Sequence, residues 1–302
     1  MTSYPKKILN IQQQIQTYID SGLILPSSDE VKDVLTRIGY YRLRGYSYHL
    51  YNNSTKKYVA GTKFTDIVSL YYFDMKLSHL IFSFLSEIEV SLRVRLTEAL
   101  LCHNDALILM DPTVFHDKKL YWQNLGAISS EICRSNDVFI NHNMNNHDGQ
   151  VPIWASVEIM SFGTLSKLIK NLKTGSGSAY SKLAEYYKYK TPKGNLAVPS
   201  KVMFASWVHA VSVLRNMCAH NSRLYNRVIT TTPDLISIDR TGPQPRFNGL
   251  YQVMLAMKYL RPNDSLWVDF VKEFNALVSE YSSVVDLARM NFTSDWAAHF
   301  AL

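Results

Sequence analysis

The chain has 302 residues, 32 Lys and Arg against 25 Asp and Glu for a net charge of +7, and 47% hydrophobic residues. That apolar share can fill a core and excludes global disorder, and the length fits one large domain or two small ones. Twelve Gly and ten Pro are few for a turn-rich β protein, and three scattered Cys exclude a disulfide framework and a thiolate zinc site. The N-terminus has no apolar leader, and no run of about 18 apolar residues occurs, so a cytoplasmic protein without a membrane partner is expected.

Ile8, Ile11, Ile15 and Ile19 recur at helical spacing and predict a first helix over 6–21, stopped by Gly22. Ser27 followed by Glu30 predicts a capped helix over 28–38. The stretch YYRLRGYSYHLY, 40–51, is dense in Tyr and Arg and shows no clear amphipathic period. Residues 52–62 read as a hairpin or irregular stretch, and Thr65 as the cap of a long helix running to about His103. Asp111-Pro112 opens a further segment, 120–140 is helical, and 141–150 is a polar loop. Residues 151–172 predict a helix interrupted near Gly163. GSGS and TPKGN then bracket a short Lys/Tyr helix, and Ser200 caps a helix over 201–220. A proline-containing loop over 233–249 and two helices near 249–261 and 264–289 close the chain. The expected fold class is all-α: a helical body over 61–302 with an N-terminal helical accessory segment over 1–60.

The positive charge is concentrated. Between Gly163 and Arg227 stand eleven Lys and Arg against one acid, Glu185, so this segment has a net charge of +10 where the whole chain has +7. Lys167, Lys170, Lys173, Lys182, Lys188 and Lys190 are interleaved with Tyr180, Tyr186, Tyr187 and Tyr189. Such a stretch can neutralise phosphates and stack bases, or it can be a solvated helix face with half-buried tyrosines. Arg223 and Arg227 extend it, and Arg42 and Arg44 in the N-terminal stretch are further candidate RNA contacts.

Common catalytic signatures are absent: there is no GxxxxGK[ST], GxGxxG, HExxH or GxSxG. His142, His147 and Asp148 share a polar stretch without ligand spacing, so no metal site and no cofactor are expected. What remains is LRNMCAHNSRLYNR, 214–227, which contains Arg215, Asn216 and His220. The bare Arg-x4-His spacing recurs at Arg44 and His49 and is not distinctive; the Asn after Arg is. At 100° per residue Trp207, Val211, Leu214 and Cys218 form one apolar stripe. Asn216 and His220 share a face nearly opposite, with Arg215 between. A surface histidine on an amphipathic helix has the same appearance. These three residue types suit RNA cleavage by a ribose 2′-OH. Histidine moves protons near neutrality, arginine grips the phosphate, and asparagine orients the histidine or the phosphate. One histidine cannot easily take one proton and give another in one step, so a composite site across a homodimer axis is expected.

At these residues the chain resembles a HEPN domain, the helical ribonuclease family with an Arg-x4-His motif that often has Asn after the Arg. It resembles the abortive-infection proteins of the AbiD/AbiF type more closely. IGYYRLRGYSYHL (38–50), GTKFTDIVSLYYFDMKL (61–77), LSEIEVSLRVRL (85–96), PIWASVEIMSFGTLSKLIKNL (152–172), LRNMCAHNSRLYNR (214–227) and NFTSDW (291–296) fall in that family's order. The resemblance implies a HEPN-type helical bundle, dimerisation, defence against phage, and host-arresting RNA cleavage with Arg215, Asn216 and His220 as catalytic residues. It also implies a structured small RNA as a possible partner, and with it the alternative of a non-catalytic RNA-binding protein. Asn221 stands where relatives often carry a second His. Glu158 is a candidate orienting acid near the motif helix; Glu89 and Arg93, four apart on the long helix, read as a structural pair.

Overall fold

The computed structural model describes residues 8–245 and 247–302. Thirteen α-helices and two two-stranded hairpins are found among them, so the fold is all-α. The helices α1 (Ile11–Asp20) and α2 (Ser28–Arg37) come first, followed by α3 (Tyr40–Ser47), β1 (Tyr51–Asn52) and β2 (Lys57–Tyr58). The central helix α4 (Phe64–Leu100) leads to α5 (Lys118–Arg134), α6 (Val138–Asn146), α7 (Ile153–Ile159), α8 (Phe162–Asn171) and α9 (Ala179–Glu185). After β3 (Tyr189–Lys190) and β4 (Leu196–Ala197) come α10 (Lys201–Ala219), α11 (Leu250–Leu260), α12 (Asp264–Glu280) and α13 (Trp296–Phe300).

α4 is the spine. Its 37 residues extend about 55 Å at 1.5 Å per residue. Leu70, Phe73, Leu77, Ile81, Leu85, Ile88, Leu92 and Leu96 follow at three- and four-residue steps, and all are buried. α3, α7, α9, α10 and α12 pack on this helix, and α8 and α11 pack on α10. One hydrophobic cluster runs from Ile15, Tyr18, Leu43 and Tyr46 through α4 and α10 to Phe300. Burial of this apolar surface is the main favourable term holding the helices together.

Several boundaries differ from the sequence reading. Residues 6 and 7 of the expected first helix lie outside the described residues. α1 starts only at Ile11, behind a capping box of Asn10 and Gln13, and Ile8 and Ile19 face solvent while Ile15 and Tyr18 are buried. The Tyr/Arg stretch is helical because Leu43 and Tyr46, three apart, anchor α3 in the core. Thr65 is not a cap: α4 begins at Phe64 after Lys63, whose segment pairs with Ile24. The polar loop at 141–150 is largely the end of α6, where asparagine amides bond carbonyls one turn back. The break in 151–172 falls at Met160–Ser161, with Ser161 capping α8, and Gly163 sits inside that helix. α12 stops at Glu280 rather than near 289, and α13 has no counterpart in the sequence reading. Ser27 and Ser200 accept from Glu30 N and Met203 N, as the capping patterns predict.

Candidate active site

α10 carries the motif. Trp207, Val211, Leu214 and Cys218 are buried, so the apolar stripe read from the sequence is the helix's inner face. Asn216 and His220 are exposed, and Arg215 is intermediate. The helix ends at His220, its C-cap. Asn221 then takes a left-handed conformation (φ 49°), and its N–H donates to Cys218 O at 3.0 Å while Ser222 N–H donates to Met217 O at 2.8 Å. Those two bonds form a Schellman motif, and asparagine tolerates the left-handed position better than most residues. Asn221 therefore ends the helix and fixes His220 at its exposed tip.

Arg215 is held from α4. Its Nε lies 3.2 Å from Glu89 Oε2, and its guanidinium stands 5.7 Å from the Phe82 ring centroid. The Nε proton is not aligned for a hydrogen bond, so charge attraction dominates that contact. Arg215 Nη1 reaches Asn216 Oδ1 at 3.4 Å. Glu89 is buried and also accepts from Arg93 Nη2 at 2.5 Å. Arg93 in turn donates to Met160 O at 2.7 Å and to Val157 O, the carbonyls left open where α7 ends. One buried carboxylate thus balances two guanidinium groups and links the motif helix to α4 and to the α7–α8 break. The acid at Arg215 is Glu89, whose pairing with Arg93 is half of its bonding. Glu158 is exposed on α7, and among the described residues it forms no ion pair with Arg215.

A second buried acid fixes the segment after His220. Asp74 of α4 accepts from Tyr225 N at 2.6 Å, from Leu224 N at 3.1 Å and from the Tyr46 hydroxyl at 2.8 Å. Burial pushes its carboxyl above the usual range, and the three donors oppose that shift. Asp74 thereby joins α3, α4 and the post-motif turn. The sequence reading missed it. Its signal is an acid at a core-facing position between Phe73 and Leu77, where an unpartnered charge is costly.

An open cleft of about 1160 Å³ lies between α1, α3 and this turn, and His220 lines it together with Arg42, Arg44 and Arg223. Arg42 Nη2 donates to Asn221 O at 3.1 Å. Arg223 donates to Gly45 O and lies 6.0 Å from the Tyr46 ring centroid. Arg44 packs 4.9 Å from the Tyr51 centroid. Arg227 is exposed nearby, its Nη1 3.4 Å from Arg223 O. His49, the histidine of the second Arg-x4-His pair, packs edge-on to Tyr225, and burial lowers its pKa.

The lysines form a separate group. Lys167 and Lys170 are exposed on α8, Lys173 just beyond it, Lys182 on α9 and Lys190 on β3; Lys188 pairs with Glu185 at 2.5 Å. None of them lines the His220 cleft. The interleaved tyrosines are not a stacking platform. Tyr180 and Tyr187 are buried, and Tyr189 packs against Trp207 and Tyr259. Only Tyr186 is half exposed, and it donates to Glu98 Oε2 at 2.9 Å.

The arrangement is an all-helical protein with Arg-Asn-x3-His at the exposed end of a core helix, its arginine held by a buried carboxylate. The family described as Abi-like protein matches residues 33–226, from α2 through the motif and its turn. The chain belongs to that family, which points to abortive infection, a bacterial defence against phage. No curated protein and no solved structure matches the chain. No helix among the described residues is long and apolar enough to cross a membrane.

Proposed function

We propose that the chain is a HEPN-type endoribonuclease of the AbiD/AbiF kind, cleaving RNA in a bacterial abortive-infection system. The observation that carries this reading is the pairing of Arg215 with buried Glu89 beside an exposed His220 that opens onto an arginine-lined cleft. His220 takes the proton of a ribose 2′-OH or protonates the leaving 5′ oxygen. Arg215 neutralises charge that grows on the phosphate, and Asn216 orients the arginine. No step needs a metal ion. The products are a 2′,3′-cyclic phosphate and a 5′-hydroxyl.

The second proton transfer calls for a second histidine, which a homodimer supplies. Val90 and Val94, one turn apart on the solvent face of α4 (58% and 50% exposed), stand on the same helix as buried Glu89 and suit an isologous contact. The exposed lysines of α8, α9 and β3 then serve RNA binding outside the cleft. The same surfaces also suit a non-catalytic partner of a structured small RNA.

Purified protein incubated with RNA in excess EDTA separates the two. Cleavage that persists in EDTA and disappears in His220→Ala supports the nuclease; an intact, stoichiometric bound RNA supports the binder. Mixing His220→Ala with Arg215→Ala subunits tests the composite site, since each heterodimer retains one His and one Arg per site. Activity above that of either parent homodimer but well below wild type is expected, because the one remaining His220 serves only one of the two proton transfers. Full-rate cleavage by a protein that sediments as a monomer contradicts the dimer.

A further inference from the structure

We infer that the cleft beside His220 takes a single-stranded stretch of RNA, with bases stacked on Tyr41 and Tyr48. The ribonuclease reading supplies only the place of the scissile phosphate, at His220; the strand-binding site stands on the cleft itself. Its described lining contains three arginines and a histidine and no Asp or Glu. An anionic ligand therefore meets attraction from α3 and the turn after α10, and no acid of the described lining repels it. At about 1160 Å³ it exceeds the roughly 300–1,000 Å³ of small-molecule pockets, and it is open, as a groove for a chain is.

The arginines are pre-set. Arg42 is tied to Asn221 O, Arg223 to Gly45 O, and Arg44 is laid on Tyr51, so each loses little freedom when a phosphate arrives. Arg42 spans from α3 to the residue after His220, which puts a phosphate held by Arg42 next to the histidine. The aromatics decide the strand form. Tyr41 is 90% exposed and Tyr48 62% exposed, unusual for large rings, and both line the cleft. They stand seven residues apart on α3 and the turn that follows it, so about two helical turns separate them on similar faces. Exposed rings beside arginines bind unstacked bases. A duplex hides its base faces and offers proteins its phosphates and 2′-hydroxyls, so it has nothing for these rings.

The test uses full-length His220→Ala, which leaves RNA uncut, and fluorescence anisotropy with a 12-nucleotide RNA as a single strand and as a duplex. The single strand is expected to bind at least tenfold more tightly. Tyr41→Ala with Tyr48→Ala should weaken single-strand binding about tenfold or more, because base–ring stacking is lost, and Tyr→Phe at both positions should restore it. Both rings are exposed, so unchanged thermal melting is expected. Equal affinity for duplex and single strand, or an alanine pair that binds like its parent, overturns the inference and leaves the ribonuclease reading standing. Displacement of the strand by equimolar AMP or UMP overturns it in favour of a free nucleotide. Failure of both RNA forms to bind overturns both readings. Tight single-strand binding by a wild-type protein that never cleaves upholds the cleft and removes the nuclease.

Discussion

Glu89→Gln is the most informative single substitution. It keeps the side chain's shape and removes the one negative charge between Arg93 and Arg215. Removing one partner of a buried ion pair costs about 3–5 kcal/mol, because the other charge stays behind uncompensated. Arg93 keeps Val157 O and Met160 O as acceptors. Arg215 is 33% exposed, so water compensates part of its charge. Both facts place the loss at the low end, about 3 kcal/mol. At about 2 °C per kcal/mol for a chain of this size, Tm falls by about 6 °C. Arg215, no longer held, drifts from the phosphate. Cleavage by the folded variant is expected to drop about 10- to 100-fold, the scale on which misplaced catalytic groups act. RNA affinity should change less than the rate. The assays are differential scanning calorimetry and single-turnover cleavage at saturating RNA. Wild-type cleavage by Glu89→Gln would refute the positioning of Arg215 by this acid, and an unchanged Tm would refute the buried triad.

The other buried acid, Asp74, has its pKa raised by burial, so the native state binds its proton more readily than the unfolded chain. Its contribution is present below the unfolded value of about 4 and is lost as pH rises through the raised native value. Urea midpoints of the wild type should show that loss; Asp74→Asn, which cannot ionise, should lack it while being less stable by about 1–3 kcal/mol for an unpaired backbone donor. Burial also pushes the Cys218 thiol up to about 11. At about pH 8 iodoacetamide should alkylate exposed Cys133 and spare Cys218 until the protein unfolds, as read by peptide mass spectrometry. Neutralising Lys167, Lys170, Lys182 and Lys190 together should flatten the log–log salt dependence of RNA affinity by up to about 0.7 per lost contact. An unchanged slope returns those lysines to an ordinary solvated face.

The motif helix was legible because everything that defines it is contiguous. Ser200 starts it, one stripe of Trp207, Val211, Leu214 and Cys218 turns it inward, and Arg215, Asn216 and His220 follow on the same segment. The cleft was not legible. It joins α3 to the turn after α10, and its defining bond, Arg42 to Asn221 O, spans 179 residues. Glu89 and Glu158 illustrate the same limit. Both are acids on helices near the motif, and only packing decides that Glu89 reaches Arg215 while Glu158 reaches water. The Lys/Tyr segment misleads for a different reason. Over its short helix and the residues that follow, the two residue types are interleaved; Tyr180, Tyr187 and Tyr189 go inward to Phe204 and Trp207, while Tyr186 and the lysines stay exposed. A buried acid was the overlooked signal: Asp74, like the Glu89–Arg93 pair, occupies a core position of an otherwise apolar helix face.

The central claim is that Arg215 and His220 cut RNA by attack of its own 2′-hydroxyl. The direct measurement is the chemistry of the new ends, made on RNA incubated with purified protein in EDTA and read by ligation-dependent sequencing. The account predicts 2′,3′-cyclic phosphates paired with 5′-hydroxyls, produced by the wild type and by neither His220→Ala nor Arg215→Ala. Ends carrying 5′-phosphate and 3′-hydroxyl, or cyclic ends made equally well by His220→Ala, would contradict it.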